Sequence, residues 1–232
     1  MNENDFEGLP DNEWDETWDF SWSEFDWERH LREQDKAVQA YLSHYDKLTE
    51  RSDRIDEVAH LMGWDEADWT NDETGTDPGS LNSESRAKDE ADRPVDPYTI
   101  HKHPVYVATR ALFVWLQRSW EFVAPACGPR MPLRVAVAFA TSLSRAEHQS
   151  VVATHALDMG DFSLAVCQVK RALVELNSAL RHLQSLEDGL HPAFAQFRNQ
   201  ALIRLFDIRE IWLRVMRDCR DEIGRRVGEE DN

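Results

Sequence analysis

Between Phe162 and Leu183 the apolar residues Phe162, Val166, Val169, Leu173, Leu176, Leu180 and Leu183 recur at alternating spacings of four and three without a miss. Such spacing puts every one of them on one stripe of a helix, because 3.6 residues complete a turn. A stripe of this kind is the seam of a helical bundle. Gly189 and Pro192 punctuate its end, and a second helix follows with Phe194, Phe197, Ala201, Leu205, Ile208, Trp212, Val215 and Cys219 on one face. Upstream, Pro104 suits the first turn of a helix running to about Val123. Val105, Thr109, Leu112, Leu116, Ser119 and Val123 form one stripe there, and Tyr106, Phe113 and Trp120 a second. A helix apolar on two sides is central or packs two neighbours. The segment from Ala124 to Pro132, with three prolines and a glycine, breaks it. A helix from about Pro132 to Asp158 and a turn at Met159-Gly160-Asp161 complete the set. Short loops between the last three helices imply antiparallel neighbours. With no strand pattern competing, the reading is all-α: an antiparallel four- to five-helix bundle with an acidic, Trp-rich N-terminal arm and an acidic, disordered linker.

Charge divides the chain. Residues 1 to 97 carry 29 Asp and Glu against 9 Lys and Arg, a balance of -20, while residues 98 to 232 carry 15 against 17. Composition then marks 1-27 as an acidic aromatic arm, 28-63 as a long amphipathic helix, 64-97 as an acidic flexible linker, 98-226 as the bundle and 227-232 as a tail. In the helix at 28-63, Leu31, Val38, Leu42, Tyr45, Leu48, Ile55, Ala59 and Met62 return at near-heptad intervals, and Gly63 is the stop. The linker loses periodicity and gains Gly, Ser, Asp, Asn and Pro.

Residues 147 to 177 resemble a tetratricopeptide hairpin through Gly160, Asp161, Phe162, Ala165, Ala172 and Leu173, with Val152 and Ala153 at the small and aliphatic positions of the first half. Ala156 stands where such repeats carry an aromatic, Asn177 where they carry proline, and no second copy follows 34 residues on. Because these repeats bury a core only when stacked, the stretch reads as a tight helix turn. The resemblance implies a binding scaffold at most.

Three cysteines, Cys127, Cys167 and Cys219, lie far apart without a CxxC pair, which suits buried thiols in a reducing compartment. The chain opens Met-Asn-Glu-Asn-Asp, without the basic and apolar regions of a signal peptide. No apolar run approaches the ~20 residues of a membrane span. A soluble, cytoplasmic protein that does not engage a membrane is expected.

Few residues point to catalysis. The one Glu-x-x-His, Glu57 to His60, faces away from its helix's seam. His148 and His155, and likewise Glu175 and His182, are seven apart, about 10 Å along a helix, whereas ligands of one zinc stand within roughly 4 Å of each other. Only a mixed site between the two helices could chelate. His101-Lys102-His103 reads as a hydrated approach to a helix. No phosphate-binding loop, nucleophile elbow or zinc-protease motif occurs. No catalytic residue, metal ligand or cofactor is assigned, and an enzyme is disfavoured.

The last helix carries Arg198, Arg204, Arg209, Arg214, Arg217, Arg220, Arg225 and Arg226 amid Asp207, Glu210, Asp218, Asp221 and Glu222. Pairing at helical spacings absorbs much of that charge, and the acidic arm of the same chain is the natural partner for the remainder. Residues 1 to 30 hold 11 acidic residues and one base, Arg29, together with six aromatics between Trp14 and Trp27. Disorder normally depletes aromatics. Trp14, Trp18, Trp22, Phe25 and Trp27 are the expected anchors for a partner protein with a basic-rimmed apolar groove, and Asp15, Asp19 and Asp26 supply matching charge. Direct nucleic-acid binding is disfavoured, since the N-terminal charge repels phosphate. Two alternatives stand beside this adaptor or regulator: a metal-binding or enzymatic bundle using His148, His155, Glu175 and His182, and an acidic nucleic-acid mimic. Association of copies through the helices is compatible with the same seams.

Overall fold

A computed structural model describes residues 22–64, 99–187, 189 and 191–230. Six α-helices make up the described chain, and no strand occurs among these residues: α1 (Glu24–Lys47), α2 (Arg54–Leu61), α3 (Pro104–Ala126), α4 (Leu133–Asp158), α5 (Phe162–Gln184) and α6 (Pro192–Glu230). Single 3-10 turns at Ile100–Lys102 and Gly128–Arg130 precede α3 and α4. The linker expected at 64-97 falls, apart from Trp64, outside the described residues.

α3 is the central helix. It packs on α1, α4 and α6, which is why both of its expected stripes are apolar. Val105, Ala108, Leu112, Phe113, Leu116 and Trp120 are all buried. Aromatic rings join it to its neighbours: Trp120 lies 4.6 Å from Phe139 of α4 and 5.5 Å from Phe197 of α6, and Phe113 lies 6.0 Å from Trp212. The helix runs three residues past Val123, with Pro125 inside its last turn. That turn tolerates proline because its missing N–H removes a single bond at a helix about to end.

α4 and α5 form the most extensive pair. Ala136, Ala146, Ala153 and Ala156 of α4 are buried, as are Ala165, Ala172 and Ala179 of α5, so small side chains let the backbones approach. Gly160, at φ +69, closes the turn between them, a conformation that costs an L-residue roughly 1–2 kcal/mol. Asp161 then caps α5 by accepting the Leu164 N–H at 2.9 Å. Every expected α5 seam residue is buried except Leu173, which packs partly against the core. The eight expected α6 residues are all buried.

The N-terminal helix differs from expectation in three ways. It starts at Glu24, because Ser23 and Asp26 form a capping box: the Asp26 N–H donates to Ser23 Oγ at 3.3 Å and the Ser23 N–H to Asp26 Oδ2 at 3.2 Å. It breaks after Lys47, so the helical pattern read over 28-63 is divided between α1 and α2. Its core face is His30, Val38, Tyr41 and Tyr45, while Leu31 is exposed. Trp64, returning after α2, stacks on Tyr41 at 5.7 Å. At the other end of the chain α6 continues to Glu230 through the residues read as a tail. Ile223 packs against the core and Arg226 covers Phe162, with Cζ 4.6 Å from the ring centroid. Those contacts offset the roughly 1 kcal/mol that each of Gly224 and Gly228 costs a helix.

Candidate functional site

Four of the expected anchor and charge positions, Trp14, Asp15, Trp18 and Asp19, lie outside the described residues. Of the other four, Phe25, Asp26 and Trp27 lie in the first turn of α1 and Trp22 just before its N-cap, Ser23. Phe25 is 74% exposed, a large apolar side chain standing in water. Trp22 and Trp27 are partly taken up by internal packing: their rings lie 5.2 Å apart, and both meet the buried His30 edge-on, at 5.3 and 6.0 Å. Asp26 caps α1 and also accepts a hydrogen bond from Arg29 at 2.9 Å. The bonds from Ser23 hold its carboxyl below the usual range.

Around His30 several polar groups meet at one end of the molecule. His30 Nε2 lies 3.5 Å from Thr99 Oγ1. His101 sits edge-on against Tyr106 at 4.9 Å. Burial first, then the neighbouring His30, lowers its pKa; Asp35 opposes this, while His155 and Arg110 add to it. Arg110 and Gln117 of α3 both reach Glu147 of α4, Gln117 Nε2 donating at 2.7 Å. His103 is not a hydrated approach residue. It is 3% exposed and serves as the N-cap of α3, its Nδ1 accepting the Val105 N–H at 3.2 Å. Pro104 removes one orphan donor of that helix end and the imidazole satisfies another. Burial pushes its pKa down to about 4, with the charge of Asp158 opposing.

A second polar junction clamps the α1–α2 pair to α6. Asp207 is 5% exposed and accepts from Arg54 Nε and Nη2, both at 2.6 Å, and from the Tyr45 hydroxyl. The fork-on-fork geometry is the strongest an arginine makes with a carboxylate. Burial, followed by the charge of Asp207, raises the Tyr45 pKa. One turn earlier on α6, Arg204 is 2% exposed, and its guanidinium lies between two rings, 3.7 Å from that of Trp115 and 5.2 Å from that of Tyr45. It donates to Asp46 at 2.6 Å and to Gln200 Oε1 at 2.8 Å, while its Nε has no hydrogen-bond partner. Further along, Arg214 bridges Asp56 of α2 and Glu210 of its own helix. Part of the arginine charge of α6 thus meets Asp46 and Asp56 of α1 and α2, which lie outside the arm expected to partner it. Nothing local in the sequence marks Asp207 or Arg54, which stand 153 positions apart.

The residues of the metal alternative are not gathered. His148 and His155 are exposed, and Glu175 and His182 are half-buried. Among the described residues no group of three or more His, Cys, Asp or Glu side chains could hold a metal ion. Cys127 and Cys219 are buried, whereas Cys167 is exposed on α5, against the expectation of three buried thiols. No described helix is long and apolar enough to cross a membrane. Compared with known proteins, no family model matches the chain, and no curated protein or solved structure is similar to it.

One groove, about 350 Å3 in volume, opens between the α4–α5 turn and the last turns of α6. Met159, Phe162, Ile223 and Val227 wall it, and Arg226 stands at its edge.

Proposed function

We propose that the protein is a non-catalytic, cytoplasmic adaptor or regulator, an antiparallel bundle whose acidic, aromatic N-terminal arm binds another protein. The observation that supports this reading is Phe25, 74% exposed at the point where the arm joins α1 and flanked by Glu24 and Asp26. Water contact with a whole phenyl ring is unfavourable by roughly 1.5–3 kcal/mol relative to burial, and an anchor of that kind, set among carboxylates, suits an apolar pocket with a basic rim. Trp14 and Trp18 extend the same chemistry along the chain.

The test is a pull-down from native extract with the full chain and with its Trp14→Ala/Trp18→Ala/Phe25→Ala variant, at low and physiological salt. Loss of a partner from the variant, with weaker capture at the higher salt, is the expected result. If both chains capture the same partners at both salts, the arm is not the recognition element. Capture that added DNA displaces assigns the arm to nucleic-acid mimicry instead.

A further inference from the structure

The groove at the end of α6 has the complementary character to the arm. Met159 and Val227 are 70% and 55% exposed on its walls, and Phe162 and Ile223 lie deeper. Its volume is about 350 Å3, and it is an open surface groove, not an enclosed pocket. Arg226 is held in place there: it lies over the Phe162 ring, donates to Glu222 at 3.0 Å and reaches the Gly160 carbonyl at 3.4 Å. Arg220 and Arg217, about one and two turns before Ile223, are exposed. Three acids belong to this end: Asp161 lines the groove with its Oδ1 accepting the Leu164 N–H, Asp158 is exposed beside Met159, and Glu222 is engaged by Arg225 and Arg226.

The position of the groove matches its chemistry. Trp22 packs on His30, His30 lies by Thr99, and the 3-10 turn that follows Thr99 packs on α4. His101 in that turn feels both His30 and His155, and His103 feels Asp158. Asp158 is the residue before Met159, the first wall of the groove. The chain therefore enters α1 at the end of the molecule where the groove opens. Residues 1 to 21 hold eight Asp and Glu and no Lys or Arg, with Phe6, Trp14, Trp18 and Phe20. Trp18 and Trp14 stand four and eight residues before Trp22, so an extended chain carries them at most about 14 and 28 Å from it.

We propose that this groove holds an indole of the chain's own N-terminal segment, Trp14 or Trp18, with the flanking carboxylates against Arg226 and Arg220. The segment is thereby masked by the body, and a partner must compete for it. That regulatory meaning rests on the arm being the recognition element; the docking itself does not.

The full chain carries a built-in probe position. Cys167 is exposed and lies one helical turn beyond Ser163, which lines the groove, while Cys127 and Cys219 are buried. A nitroxide on Cys167, referenced to a diamagnetic label, should broaden the indole N–H resonance of Trp14 or Trp18 several-fold at low salt. Val227→Asp, a change at an exposed wall position, should restore it, as should high salt. Unbroadened Trp14 and Trp18 signals overturn the proposal. Broadening that survives Val227→Asp places the arm elsewhere and overturns the groove. Broadening of an isotope-labelled chain by a separate spin-labelled chain identifies a second copy as the occupant, which also overturns it. Loss of a partner in the pull-down leaves this result untouched, and the reverse holds, so the two readings fail separately.

Discussion

Replacing His103 with asparagine should remove a pH-dependent part of the stability. The ring accepts the Val105 N–H at Nδ1 and is 3% exposed. An imidazolium has no acceptor nitrogen, so the folded chain holds the ring neutral, with its pKa pushed down to about 4. In the unfolded chain the same ring takes a proton near pH 6.5. The sign follows. Above about pH 6.5 neither state is protonated, and the cap stands at full strength. As pH falls from there to about 4, the unfolded state alone gains a proton, and stability declines; below about 4 both states are protonated, and the loss levels off. A gap of about 2.5 units at 1.36 kcal/mol each gives a total loss of about 3 kcal/mol. Asparagine keeps a capping oxygen but does not titrate. Urea unfolding followed by tryptophan fluorescence, with wild type and His103→Asn measured side by side from about pH 7 to 4, isolates the effect, because the other titrating groups are common to both chains. The stability difference between them should move by about 3 kcal/mol against the wild type on acidification. A difference constant within about 0.5 kcal/mol would refute the neutral buried cap.

Asp207→Ala strips the acceptor from the Arg54 guanidinium, whose side chain is 17% exposed, and from the Tyr45 hydroxyl. It should cost about 3–5 kcal/mol, because a buried charge is left without its partner. Chemical denaturation checks it, and a loss below about 1 kcal/mol would show that the junction is not closed to water. Gly160→Ala should lower stability by about 1–2 kcal/mol through backbone strain alone. At φ +69 the added Cβ meets no heavy atom nearer than Arg226 Nη2 at 4.0 Å. A melting temperature unchanged by the substitution would contradict the left-handed turn.

The sequence by itself determined α3, α4, α5 and the core face of α6, but not the break that divides α1 from α2. The four-three seam of α5, the eight core residues of α6, the two stripes of α3 and the turn at Gly160 could be read without coordinates, because helical periodicity and the conformational demands of Gly and Pro act over a few residues. At the candidate site the sequence named the aromatics and acids of the arm, of which Trp22, Phe25, Asp26 and Trp27 lie among the described residues. Tertiary structure alone decided how the described aromatics are used: Phe25 stands 74% exposed, while Trp22 and Trp27, the latter still 39% exposed, turn onto His30. It alone turned α1 so that Tyr41 is buried and Leu31 is not, and made His103 a buried cap. It also brought Tyr45 and Arg54 to Asp207, and Asp46 to Arg204, across more than 150 residues. The physical reason is range. Periodicity and capping are local and written in neighbouring residues, whereas burial, ion pairing and ring stacking depend on which backbone arrives opposite, and that is settled only when the helices pack.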